Sequence, residues 1–132
     1  MKHVCKITVR TYECDMNNHV NNANYLNYLE YARHEYLKAV GFDYKTSISM
    51  GYGLFVTRIE IDYKKPAVLD DDLVIESEAV KKGAASGAML QTIKNGQDTV
   101  ALAKVFWAFV DSNGKPCRIP AELDVDGLKP SV

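Results

Sequence analysis

From Gly53 to Val110 the sequence passes through four strand-like segments with no helical pattern between them. They run Gly53 to Tyr63, Leu73 to Lys82, Ser86 to Lys94 and Thr99 to Val110, and each is rich in β-branched, aliphatic or aromatic residues. The breaks, KKPAVLDDD, KKGAA and NGQD, carry turn chemistry, and Asn95-Gly96 is a hairpin signal. Parallel neighbours need a crossover of roughly a dozen residues or more, usually a helix. Without one, the four segments make an antiparallel run.

Only one segment reads as a long helix. Asn21 or Asn22 can cap it; Leu26, Leu29, Arg33, Tyr36, Leu37 and Val40 recur near helical spacing, and Gly41 supplies the stop. Its length of about 18 residues, roughly 27 Å, is enough to cross a small sheet. The opposite stripe, Asn24, Asn27, Tyr31, Glu35 and Lys38, is mostly polar, so the helix is a layer laid on the sheet. Before it, His3 to Tyr12 alternates as a fifth strand with one wet face, and after it FDYKTSISMGYG has room for one more helical turn before Gly51 and Gly53. The last strand, VALAKVFWAFV, is apolar on both faces apart from Lys104, as expected where a helix covers one side and a second body, such as another subunit, covers the other. Residues after Pro120 read as an arm or short edge piece. The expected architecture is α+β: one long helix packed on a curved five-stranded antiparallel sheet, in a single domain over 1–132.

A chain of 132 residues buries enough surface to need no staples. The formal charge of −1, with lysines scattered, provides no basic field for nucleic acid. No apolar run approaches a membrane span, and MKHVCKITVR lacks the apolar core of a signal peptide, so a cytoplasmic protein is expected. Cys5, Cys14 and Cys117 are odd in number and far apart, which supports neither a disulfide framework nor a zinc ribbon. Asp70, Asp71 and Asp72 lack the alternate spacing and closing glutamate of a calcium loop, and Gly51 and Gly53 lack the setting of a phosphate loop. Neither metal nor cofactor is expected.

The stretch DMNNHVNN crowds asparagines between a carboxylate and the helix start. Asparagine favours turns and caps over helix interiors. A helix N-terminus carries unpaired N–H groups and partial positive charge. If the loop from Met16 to Asn21 folds back, Asp15 stands beside the helix mouth while the N–H of Asn22 points into the same space. Two readings fit. Asp15 caps the helix or complements its dipole; or it drives attack on an ester or thioester whose oxyanion is met by the helix N–H.

The segment YECDMNNHVNNANYLNYLEYAR resembles the opening motif of the hotdog-fold acyl-CoA thioesterases of the 4-hydroxybenzoyl-CoA thioesterase type, a pattern of Y-x-x-D-x-x-x-x-V, a turn, Y-L and E-x-x-R. IDYKKPAVLDDDL and FWAFVDSNGKPCRIP are similar to later parts of that family, in order, so the likeness spans nearly the whole chain. It implies a helix wrapped by a five-stranded sheet, pairing into homodimers and often homotetramers, with active sites at the dimer interface. It also implies hydrolysis of an acyl-CoA, with Asp15 as nucleophile or general base and the Asn22 N–H polarising the carbonyl. Coenzyme A then enters as part of the substrate. Many relatives have glycine where Asn18 stands, and asparagine tolerates the left-handed turn that glycine allows.

On that reading His19, Tyr25, Phe55, Val56 and Arg58 are candidates for the substrate pocket, and Arg58, Lys64, Lys65, Lys81 and Lys82 for the phosphates of coenzyme A. Each has a plain alternative. His19 can hydrogen-bond its own turn, Tyr25, Phe55 and Val56 can be core or interface packing, Lys81 and Lys82 can guard a sheet edge, and Glu30 with Arg33 can form a surface ion pair. Two rival functions are a thioesterase acting on acyl carrier protein and a non-catalytic module that binds acyl-CoA. A hotdog dehydratase fits less well, since none of the three histidines has an evident carboxylate partner.

Overall fold

The computed structural model describes residues 2–130. Strand β1 (Lys2–Thr8) leads through a short 3-10 turn (Thr11–Glu13) and a tight loop into helix α1 (Asn22–Ala39). A second helix, α2 (Tyr44–Ser49), precedes β2 (Gly53–Tyr63), β3 (Asp72–Lys82), β4 (Ser86–Asn95) and β5 (Asp98–Val110), and a last 3-10 turn spans Asp126–Leu128. The five strands form one sheet in the order β1-β3-β4-β5-β2, every neighbour antiparallel. This is the expected α+β arrangement, and the four segments after Gly53 fall within a residue of their expected bounds. β3, β4 and β5 form two successive hairpins; β2 pairs with β5 and closes one edge, and β1 pairs with β3 and closes the other.

Helix α1 begins where asparagine chemistry places it: the Asn21 side chain accepts from the Ala23 N–H at 2.9 Å. It ends just before Gly41, whose φ of +80° is the left-handed conformation that stops a helix. Its buried face is rotated from the expected one. Tyr25, Tyr28, Leu29, Ala32 and Tyr36 point into the protein, whereas Leu26 is exposed. Hydroxyl partners explain the difference, because a tyrosine can be buried whole when its O–H is satisfied. The Ala67 N–H donates to the Tyr25 hydroxyl at 3.0 Å, the Tyr28 hydroxyl donates to Glu13 at 2.7 Å, and that of Tyr36 donates to the Gly127 carbonyl at 2.5 Å.

The core falls into two parts along the helix. Val9, Val20, Tyr25, Tyr28, Leu29 and Ile75 lie in the part beneath its first half. Tyr36, Phe42, Trp107, Phe109, Leu123 and Leu128 lie in the part beneath its second half. Gln91, fully buried on β4, joins helix to sheet: its amide donates to the Leu29 carbonyl at 3.0 Å and to the Ser77 hydroxyl at 2.9 Å, and its oxygen accepts from Arg33 at 3.1 Å. The expected Glu30–Arg33 surface pair is not formed, because Arg33 turns inward to Gln91.

Two further expectations are corrected. β1 stops at Thr8 rather than continuing to Tyr12, because the Glu13 carboxylate accepts from the Arg10 N–H at 2.8 Å and coils the chain into the 3-10 turn. The chain after Pro120 is a cover over the second part of the core, not an arm, burying Leu123 and Leu128. On the far face of β5, Arg58 and Lys104 lie 5.8 and 5.1 Å from the centre of the Phe106 ring, so cationic side chains shade an apolar surface that no element among the described residues covers. The acidic run after Leu69 is a turn: Asp71 accepts from the Val68 N–H at 2.9 Å and Asp72 from the Thr8 hydroxyl at 2.7 Å. Among the described residues no helix is long and apolar enough to cross a membrane.

Candidate active site

The loop before α1 folds back on itself. Cys14 bridges Val20, the Asp15 N–H donates to the His19 carbonyl at 3.0 Å, and the Asn18 N–H returns to the Asp15 carbonyl at 3.0 Å. Asn18 takes φ +64° to close this turn, a conformation asparagine reaches at less cost than most residues. The Asp15 carboxylate accepts from the Asn17 N–H at 2.9 Å and is half-buried. On the other limb, the Val20 N–H donates to the Ala67 carbonyl at 2.8 Å and His19 bridges Val68, fixing the loop to the segment between β2 and β3.

The same fold-back sets the helix mouth. The Asn21 N–H donates to the Glu13 carbonyl at 2.9 Å, and the Asn21 side chain caps Ala23. The N–H of Asn22 meets no acceptor among the described residues. The Tyr63 hydroxyl, at the end of β2, donates to the Asn22 carbonyl at 3.3 Å. Asp15 and the open Asn22 N–H are therefore carried on adjacent limbs of one hydrogen-bonded hairpin. A carboxylate beside an unpaired donor at a helix N-terminus can activate a nucleophile and hold an oxyanion.

Glu13, which the sequence reading passed over, is buried beneath them. Each of its oxygens accepts twice: one from the Arg10 N–H and the Tyr28 hydroxyl, the other from Arg10 Nε and Nη2 at 3.0 and 2.6 Å. Burial pushes this carboxyl up, but the bonds from Arg10 and Tyr28 outweigh it and hold it below the ordinary glutamate range. Burial, reinforced by the bond to Glu13, holds the Tyr28 phenol far above its ordinary value. A carboxyl depressed in the folded state adds stability that is full above its unfolded pKa and is lost as pH falls through the folded value. Urea midpoints are thus expected to fall as pH drops below the ordinary glutamate range, and Glu13→Gln is expected to remove part of that slope. An unchanged slope contradicts the assignment. The spacing Arg10-x-x-Glu13 was the available signal, but no periodicity distinguishes a buried pair of this kind from a solvated one.

The principal cavity lies elsewhere on the helix. It encloses about 480 Å³ between the second half of α1 and the sheet, among Arg33, Leu37, Leu54, Val56, Val105 and Trp107. Asp15 does not border it, nor does it border the hollow beside Glu13 and Arg10. Within one chain Asp15 and the apolar cavity stand apart, the first ahead of the start of α1 and the second under its later turns.

The other candidates are scattered. Val56 lines the cavity, and Tyr25 is a buried strut whose hydroxyl is taken by Ala67. Phe55 and Arg58 register against Ala108 and Phe106, on the sheet face turned away from α1, and Arg58 pairs there with Glu60 at 2.8 Å. Lys64, Lys65 and Lys81 are exposed, Lys65 pairing with Asp98 at 3.0 Å. Lys82 is largely covered and held by Asp124 at 3.3 Å and the Gly83 carbonyl at 2.7 Å, which takes it out of the set free to bind phosphate.

Comparison with known proteins bears on the family and the fold. Residues 9–126 match the family model described as the thioesterase-like superfamily. The chain is 36% identical over 106 residues to the long-chain acyl-CoA thioesterase FadM of Escherichia coli (strain K12), covering 80% of this chain and 79% of that one. It is 33% identical over 119 residues to the acyl-CoA thioesterase YbgC of Haemophilus influenzae, covering 87% and 88%. A probable thioesterase from Bartonella henselae superposes with a TM-score of 0.86 at 29% identity, over 91% of this chain and all of that one. The chain belongs to the thioesterase-like superfamily, and is a hotdog-fold thioesterase.

Proposed function

We propose that the protein hydrolyses acyl-CoA thioesters to free acid and coenzyme A, as a cytoplasmic homo-oligomer whose active sites each draw on two subunits. Asp15 is the nucleophile or general base and the Asn22 N–H receives the carbonyl oxygen. The two roles of Asp15 differ only in whether an acyl-enzyme anhydride forms before water attacks.

One observation carries the two-subunit reading: the opposite ends of β2 touch the two halves of the site. Its Tyr63 end holds the carbonyl of Asn22, and its Gly53 end supplies Leu54 and Val56 to the cavity. β2 is an edge strand of 11 residues, with Phe55, Val56 and Tyr63 each more than two-fifths exposed. A long edge of that kind is a template for pairing. Two copies joined antiparallel along β2 about a two-fold axis place the Tyr63 end of one beside the Gly53 end of the other. Asp15 of the partner subunit then faces this protomer's cavity, which has the volume and apolar lining of an acyl pocket.

The test is thiol release from a panel of acyl-CoA esters, with matched carrier-protein esters alongside, by the wild type and by mixed dimers. Asp15→Asn and the cavity-filling Leu37→Trp are each expected to be inactive alone. Mixing them by co-refolding rebuilds one intact site in every mixed dimer, and so restores about a quarter of wild-type activity in a statistical mixture. No recovery from verified mixed dimers means that the site lies within one chain. Binding of the esters with no thiol release by the wild type replaces hydrolysis with the non-catalytic module.

A further inference from the structure

We propose that Glu13 is a positioning residue for the thioesterase reaction, setting the separation between the Asp15 carboxylate and the Asn22 N–H. The inference rests on the functional reading above and names a residue that reading leaves unused. Burying a carboxylate costs several kcal/mol unless it is fully met by donors, so a buried one that is fully met marks a place where the chain is held firmly. Glu13 is only 5% exposed, and all four of its acceptor positions are filled, by Arg10 from the exit of β1 and by Tyr28 from the second turn of α1.

Its main chain is used as well. The Glu13 carbonyl accepts from the Asn21 N–H at 2.9 Å and from the Asn24 side chain at 3.0 Å. A helix cap alone does not need this, since Asn21 already caps α1 through its own side chain. The arrangement does tie one residue to both reacting groups. Asp15 follows Glu13 by two positions, and Asn22 is the next residue after Asn21, whose amide Glu13 holds. Asp15 lies on the outgoing limb of the hairpin and Asn22 beyond the returning limb, and Glu13 is where the two limbs and the helix are joined. Loosening that joint changes the distance between base and oxyanion donor without touching substrate, and a displacement near 1 Å costs on the order of a hundredfold in rate.

A double-mutant cycle on thiol release tests this. Glu13→Gln removes the charge that holds Arg10, and Tyr28→Phe removes one hydrogen bond and keeps the carboxylate. In the wild-type background Glu13→Gln is expected to lower kcat by about tenfold or more with KM within about threefold, and Tyr28→Phe to follow the same pattern with a smaller effect. In the Asp15→Asn background the same changes are expected to alter kcat by less than about twofold, because with the carboxylate gone the separation that Glu13 sets between the two groups no longer bears on the rate. Equal effects in both backgrounds, or losses confined to KM, overturn the proposal. If Glu13→Gln does not fold, the Tyr28→Phe cycle decides. A wild type that releases no thiol sinks the thioesterase reading and this role with it. Wild-type activity that needs Asp15, combined with an additive cycle, sinks the role of Glu13 alone.

Discussion

Purified Asp15→Asn is expected to lose about a hundredfold to ten-thousandfold in kcat on acyl-CoA esters, the range attributed to a positioned general base. The substitution is nearly isosteric, and an amide oxygen can still accept from the Asn17 N–H, so the loop is expected to hold its shape. Stability in urea should therefore change little while turnover collapses. KM serves as the control: if Asp15 acts only on the chemical step, substrate binding is kept and the loss falls on kcat. Wild-type turnover by this variant removes Asp15 from the mechanism and leaves it as a turn residue. Rapid-mixing kinetics on the wild type separate the two chemical roles, since a burst of thiol that matches the enzyme concentration reports an acyl-enzyme and its absence favours direct attack by water.

The second large effect is on stability. Leu29 is fully buried under the middle of α1, and its carbonyl accepts from the amide of Gln91. Leu29→Ala removes core volume where helix and sheet are already pinned together, which limits collapse around the gap. The expected loss is about 2–5 kcal/mol, in the range for such truncations. In urea this moves the unfolding midpoint down by more than about 1 M for a domain of this size. Leu29 touches neither Asp15 nor the principal cavity, so turnover measured well below the transition should survive. A loss under about 1 kcal/mol would show that the two halves of the core close over the gap freely, and that Gln91 does not hold them apart.

The two substitutions separate what the helix does for chemistry from what it does for the fold. Its first turn presents an N–H that meets no acceptor among the described residues, next to the hairpin that carries Asp15, and its middle fastens the layer to the sheet through Leu29 and Gln91. On the role proposed for it Glu13 belongs to both, and the two backgrounds separate its parts.

Much of the fold was legible in the residues. Strand segments separated by Lys-Pro, Lys-Gly and Asn-Gly breaks, and a single stretch at helical spacing capped by Asn21 and stopped by Gly41, leave little freedom in element type or order. The loop that carries Asp15 was legible for the same local reason: an aspartate, a left-handed asparagine at position 18 and a capping asparagine all lie within eight residues, and their bonds are short-range. The buried face of α1 was misjudged at Leu26 because hydropathy ranks leucine above tyrosine, while the deciding partners of Tyr25 and Tyr28, Ala67 and Glu13, lie 42 and 15 residues away. The fate of the chain after Pro120 was hidden likewise, since Gly127 meets Tyr36 across 91 residues.

By itself the sequence determined the long helix, the four strands after Gly53 and the turn that carries Asp15 ahead of the helix, because caps, turns and periodicity act between neighbours. Only the tertiary structure decided that β1 and β2 become the two edges of the sheet, that Arg33 turns inward to Gln91 and Lys82 is held by Asp124, and that a cavity opens under the second half of α1, away from Asp15. Those outcomes depend on which distant groups satisfy each other's hydrogen bonds and fill each other's volume, and no local pattern encodes that choice.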